Sequence, residues 1–166
     1  MTLDDIKQIL MNAFEIEDIS LMPEAIKSTV KNNNFSVYDK IIDKGINLDI
    51  DFLQIVFQYY EADRENKKQD YTPKTLAQFV GELTKDSDTI IDMCAGSGAL
   101  TIQRWLKNKE TKFELWEYDE KVIWYLMFNM AIRNIECCVK RADVLSDEVF
   151  EEYKISKGEK YGILHI

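Results

Sequence analysis

The sequence predicts an α/β protein, with a helical region over residues 1–70 and a sheet of parallel strands separated by helices over residues 71–166. Two observations carry that reading. In the first part, apolar side chains recur at three- and four-residue spacing, the period of a helix face. Beyond Asp86-Ser87-Asp88 the pattern changes to short apolar runs, each followed by a longer amphipathic stretch. That alternation is the mark of βαβ units, and right-handed crossovers would make the sheet Rossmann-like. A chain of 166 residues, 46% hydrophobic and 31% charged, has the size and composition for one such domain with a small extension.

The elements follow in order. Thr2-Leu3-Asp4-Asp5 has the form of a capping box ahead of Ile6, Ile9, Leu10, Ala13 and Phe14, so a helix starts there. Pro23 suits the first turn of a second helix carrying Ile26 and Val30. Asn32-Asn33-Asn34 marks a turn. Ser36 is placed to cap a third helix, with Gly45 at its end. Leu53, Val56, Phe57 and Tyr60 form a further apolar stripe. Residues 61–70 carry no apolar pattern and read as a solvated linker or a loop over the next domain. Thr72-Pro73 suits the cap and first position of a helix whose inward face is Leu76, Phe79, Val80 and Leu83. Strands are predicted at 89–93, 112–117, 137–140 and 161–166, and helices at 99–107, 120–133 and, briefly, 148–153.

Composition narrows the function. No stretch approaches the ~20 apolar residues of a membrane span. The first residues lack the basic and apolar parts of a secretory signal, so a cytoplasmic location is expected. Cys94, Cys137 and Cys138, with a single His, show no zinc-ligand spacing; free thiols and no metal site are expected. The net charge is −9, and residues 1–70 hold 8 Lys/Arg against 14 Asp/Glu. Duplex affinity rests on cations meeting phosphates, so neither part reads as a strong autonomous DNA binder.

Chemistry gathers at the strand ends. Asp92-Met93-Cys94-Ala95-Gly96-Ser97-Gly98 joins a strand to a helix. Gly96 and Gly98 allow a tight turn and close approach to a ligand, while Asp92 can accept from an ammonium or a bridging water. Thr101 stands where a dinucleotide fingerprint wants a third glycine, so the run is a poor match to that motif. Glu117 ends the next strand, and its two acceptor oxygens suit both hydroxyls of a ribose. Tyr118 could pack on an adenine face, or the pair could be plain surface. Asp143 follows the third strand. It can accept from an adenine amino group, with the Val144 amide beside it, or it can cap the next element. His165 is a lone residue in a strand, and no catalytic residue is assigned.

Taken in order, Tyr71-Thr72-Pro73, Asp92 with Gly96-Ser97-Gly98, Glu117 and Asp143 resemble the motif set of the adenine-N6 DNA methyltransferases. The closest similarity is to the modification subunit of type I restriction-modification systems, and Asn129-Met130 is similar to that group as well. The resemblance covers residues 71–166. It implies a partial S-adenosylmethionine (SAM) methyltransferase fold of about four parallel strands, order 3-2-1-4. It implies SAM as cofactor: Tyr71, Thr72 and Pro73 at the methionine end, Asp92, Cys94, Ala95, Gly96, Ser97 and Gly98 shaping the pocket, Glu117 on the ribose, and Tyr118, Asp143 and Val144 around the adenine.

One departure bears on mechanism. The family carries Asn/Asp-Pro-Pro-Tyr/Phe after strand four, where a flipped adenine donates its amino protons and stacks on the aromatic ring. Here the prolines are Pro23 and Pro73 alone, and Tyr161-Gly162-Ile163-Leu164-His165-Ile166 closes the sequence. The reading is a SAM-binding part that is inactive by itself, with a strand-four edge open to a second copy or to a methylase or specificity partner, and DNA engaged only with a complementary chain. An active enzyme completed in trans is the alternative. A non-enzymatic interaction or anti-restriction module is another.

Overall fold

The computed structural model describes residues 1–60 and 72–165. The linker expected at 61–70, and Tyr71, lie outside the described residues. The N-terminal region holds α1 (Leu3–Phe14), a 3-10 turn at Ile19–Leu21, α2 (Met22–Lys31), α3 (Phe35–Asp43) and α4 (Phe52–Tyr60). Then come α5 (Lys74–Leu83), β1 (Thr89–Asp92), α6 (Ala99–Lys107), β2 (Lys112–Glu117), α7 (Val122–Ile132), β3 (Cys137–Asp143), β4 (Glu148–Ser156) and β5 (Ile163–His165).

Local chemistry explains most boundaries. Thr2 and Asp5 form the reciprocal capping box that starts α1: the Asp5 amide donates to Thr2 Oγ1 at 3.2 Å and the Thr2 amide to Asp5 Oδ2 at 2.7 Å. Gly45, with φ +74°, takes the chain out of α3. Ser36 does not cap that helix. Asn34 occupies the cap position, and the Ser36 hydroxyl, inside the first turn, donates to Asn34 Oδ1.

The sheet runs β1-β2-β3-β4-β5. β1, β2 and β3 are parallel neighbours, with Asp92 level with Leu115 and Glu117 level with Arg141. These are strands 1, 2 and 3 of the expected order. The fourth strand differs in place and direction: β4 and β5 follow β3 as antiparallel strands, and β5 does not lie beside β1. Two features send the chain that way. The segment read as a short helix at 148–153 is part of β4, because Val149, Tyr153 and Ile155 alternate and Asp147, at φ +56°, closes a tight hairpin turn. The connection after β4 is then short and anchored. The Gly162 amide donates to the Ala131 carbonyl at 2.8 Å, Tyr161 packs edge-on to Tyr38, and Lys160 and the Tyr161 hydroxyl both donate to Asp39.

One apolar cluster runs from Ile6 to Leu164 and joins the N-terminal helices to the sheet. α7 is buried along its whole length. A helix apolar all round belongs in an interior, and α2 packs along it while Phe14 and Tyr38 meet its Phe128. At β5, Asn33 closes the outer edge: its Nδ2 donates to the Leu164 carbonyl at 3.2 Å and its Oδ1 accepts from the Leu164 amide at 2.8 Å.

α5 reverses its expected orientation. Leu76, Phe79 and Leu83 are 50%, 59% and 68% exposed, while Ala77 and Gly81 are buried. The small residues face α6, so closely that a Cβ on Gly81 would sit 3.0 Å from the Gln103 carbonyl oxygen. Arg104 of α6 fastens the far end of α5, donating from Nε to the Thr84 carbonyl at 2.8 Å and from Nη2 to that of Lys85 at 2.9 Å. Close helix packing thus decides which face turns in.

Candidate functional site

Because β1, β2 and β3 are parallel, the residues that end them lie at one end of the sheet, where open α/β sheets take ligands. Asp92 ends β1 and its Oδ1 accepts from the Cys94 amide at 3.2 Å. The Ala95 amide reaches across to the Trp116 carbonyl at 2.9 Å. Gly96 and Gly98 have φ of +56° and +99°, a region other residues enter only at a cost. Ser97 is buried between them and Cys94 is exposed. A Cβ on Gly98 would also come within 2.8 Å of Met130 Cε and 3.0 Å of Leu126 Cδ1. Gly98→Ala is expected to cost about 1–3 kcal/mol from backbone strain and crowding, read as a lowered thermal midpoint.

Glu117, at the end of β2, reaches back to this turn. Its Oε2 accepts from the Gly96 amide at 2.9 Å and its Oε1 from the Asp119 amide at 2.8 Å. Each carboxylate oxygen has two acceptor positions, so both remain able to take another donor. Burial raises the pKa of Glu117, partly offset by the amides that donate to it, and burial likewise raises that of Asp92. Tyr118 is 65% exposed and meets Phe150 of β4 edge-on, ring centroids 6.2 Å apart. Asp143 accepts from the Leu145 amide at 2.9 Å, so it caps the β3–β4 turn, with Val144 half-buried beside it.

Thr72 and Pro73 sit away from these strand ends in sequence but close in space to the start of α6. Pro73, not Thr72, holds the cap position of α5, and Thr72 makes no side-chain cap. The preset φ of proline, −57° here, suffices to launch the helix. Both residues line a cavity of about 350 Å³ with Asp51, Lys74, Ala99 and Gln103.

Sequence reasoning named Asn129 only for its likeness to the family and missed the polar group it joins behind that cavity. Asn129 of α7 is fully buried; its Nδ2 donates to Asp51 Oδ1 and to the Ser97 carbonyl, both at 2.8 Å. Arg133 donates to Asn129 Oδ1 at 2.8 Å, to the Leu48 carbonyl at 2.8 Å and to the Ile50 carbonyl at 2.7 Å. Gln103 donates to the Asp49 carbonyl at 2.6 Å. Two sheet-side helices therefore staple the segment before α4 against the glycine turn. The signal was an Asn and an Arg inside an otherwise apolar helix, four residues apart.

A family model described as N-6 DNA methylase matches residues 49–160. This chain belongs to the adenine-N6 DNA methylase family. No curated protein and no solved structure gives a significant match. The methylase match begins just before Asp51, so it takes in the stapled segment as well as every strand end described above. No helix among the described residues is long and apolar enough to cross a membrane. Among the same residues, no group of three His, Cys, Asp or Glu side chains is placed to hold a metal ion.

Proposed function

We propose that the strand ends, the glycine turn and the Thr72–Pro73 cavity form a SAM-binding site of an adenine-N6 DNA methyltransferase of the modification-subunit type. The observation that carries this is Glu117: a half-buried carboxylate, braced by the Gly96 amide, with acceptor capacity left over at the end of β2. The residues fit the group. Glu117 would accept from both ribose hydroxyls. Asp143 and the Val144 amide would meet the adenine edge, and Tyr118 its face. Asp92 and the turn from Cys94 through Ala95, Gly96 and Ser97 to Gly98 would wall the middle of the ligand. Thr72 and Pro73, with Tyr71 before them, would hold its amino-acid end. The bound cofactor supplies an electrophilic sulfonium methyl.

By this reading residues 1–166 transfer no methyl group unaided. They hold prolines only at 23 and 73, so they supply no Pro-Pro carbonyl for a flipped adenine. The acidic surface argues the same way. A complementary chain would bring the catalytic loop and a basic DNA face, and a cytoplasmic setting goes with that. The docking edge differs from the fourth strand anticipated from sequence. β5 is closed by Asn33, whereas β1 pairs with β2 alone among the described strands and lies with Ile91 60% exposed. That observation favours the second reading, an enzyme completed in trans by a methylase or specificity partner, or by a second copy, at β1.

Titration calorimetry with S-adenosylhomocysteine tests the site. One saturable site per chain is expected, and no heat up to about millimolar ligand overturns the reading. The affinity is expected to fall on passing from neutral to mildly acid buffer. Burial holds the pKa of Glu117 above its ordinary value, and ribose donors favour the ionised form, so binding weakens as Glu117 takes up its proton. Labelled SAM and adenine-containing DNA should yield no methylated product with this chain alone; product from the chain alone would refute the claim of dependence.

A further inference from the structure

β4 is irregular at the level of Glu117. Glu117 of β2 is level with Arg141 of β3, and Arg141 is level with Glu151 of β4. The next pair is Ala142 with Val149, so Phe150 has no counterpart in β3 and forms a β-bulge. A bulge re-aims the side chain it carries. Here Phe150 meets Tyr118, the residue after Glu117, with ring centroids 6.2 Å apart and planes at 66°. The Arg141 guanidinium lies 4.7 Å from the Phe150 centroid and is itself tied down, its Nε donating to Glu151 Oε2 at 2.7 Å. The Phe150 ring is thus held by two neighbours, yet the residue is 38% exposed and Tyr118 is 65% exposed.

A single exposed aromatic is ordinary. Two in contact, one of them placed by a bulge beside a carboxylate suited to a ribose, are not. The bulge itself gains nothing for the sheet, because it leaves a residue out of the ladder. Two rings at a steep angle make a corner, with a face for stacking and an edge for a T-shaped contact. A flat purine suits such a corner, and a ribose held at Glu117 would deliver its base there. We infer that Phe150 is a second aromatic contact for the adenine of the cofactor, forming with Tyr118 the wall on the β4 side. This rests on the cofactor reading above and adds a binding residue that no sequence motif marked. It also gives the antiparallel β3–β4 hairpin a part in the site, with Asp143 and Val144 at its turn and Phe150 on its return strand.

Titration calorimetry with S-adenosylhomocysteine tests this on the wild-type chain, Phe150→Ala, Phe150→Tyr, Tyr118→Ala and the double alanine variant. Phe150→Ala should weaken binding about tenfold, the scale of one base–aromatic contact, and Phe150→Tyr should restore it. If circular dichroism shows Phe150→Ala to be unfolded at the titration temperature, Phe150→Leu, which keeps apolar bulk without the ring, takes its place. The deciding comparison is made in the Tyr118→Ala background. A ring that touches the adenine still contributes there, so the double variant should bind several-fold more weakly than Tyr118→Ala. A ring that merely braces Tyr118 has nothing left to brace, and equal affinities of those two proteins overturn the inference. So does a folded Phe150→Ala protein with wild-type affinity. If the wild type binds no S-adenosylhomocysteine, the cofactor reading itself has failed, and this inference with it.

Discussion

Glu117→Ala will lower the affinity for S-adenosylhomocysteine by roughly 100-fold. Two hydroxyl donors to an ionised acceptor contribute about 1.5 kcal/mol each, and each 1.4 kcal/mol is a factor of ten in binding. The substitution also frees the Gly96 amide from its partner at 2.9 Å, which loosens the turn the ligand must meet. Fold stability should move far less. Burial raises the Glu117 pKa in the folded chain, so its ionised form opposes folding once the pH exceeds that raised value. Below the unfolded pKa the protonated form favours folding, and that contribution is lost as pH rises through the folded pKa. Removing the carboxyl at neutral pH therefore relieves one cost while deleting two hydrogen bonds. A large fall in thermal midpoint alongside the lost affinity would show Glu117 to be a structural brace instead of a ligand contact.

Arg133→Met will have the opposite profile, a large loss of stability. Arg133 is buried against Phe52, its guanidinium 5.5 Å from the ring centroid, and burial pulls its pKa down to about 10 against the pull of Asp51 and Asp49. Methionine can fill much of the space but leaves the carbonyls of Leu48 and Ile50 without donors. It also removes the positive charge that offsets the burial of Asp51, whose pKa desolvation already raises. Breaking a buried ionic group in this way costs about 3–5 kcal/mol, which for a domain of this size lowers the melting midpoint by about 10 °C. Combining Arg133→Met with Asp51→Asn should cost less than the two separately, because the second change removes the buried carboxyl group that the first one strands. Strict additivity in circular-dichroism melts would mean that Arg133 and Asp51 are energetically independent.

The strand–helix succession from residue 89 to residue 143 was legible because each element carries its own local signal: β1, α6, β2, α7 and β3 all lie where the apolar periods place them. The acids and glycines at strand ends were legible for the same reason. A parallel register alone brings them to one end. What escaped was decided by contacts between distant segments. The orientation of α5 follows from Gly81 and Ala77 fitting against α6, which its own apolar stripe cannot reveal. The antiparallel β4–β5 excursion depends on Tyr161 finding Tyr38 and on Gly162 meeting Ala131, pairs more than 30 residues apart. Asp51 looked like one acid among many. Only the fold reveals that Asn129 and Arg133 stand behind it.

Asn33 carries a consequence for assembly. Its carboxamide does to Leu164 what a neighbouring strand's backbone would do, giving and taking one hydrogen bond each. The sheet is therefore terminated at one margin by a side chain, while β1 keeps a margin with no strand beyond it among the described residues. A sheet with two free margins can add subunits without limit. With one, growth stops after a single addition. Any edge-to-edge pairing through this sheet would then be directed to β1, whether the other member is a copy or a different polypeptide. In such a pairing the short turn between α2 and α3 would act as the stopper against further addition at β5.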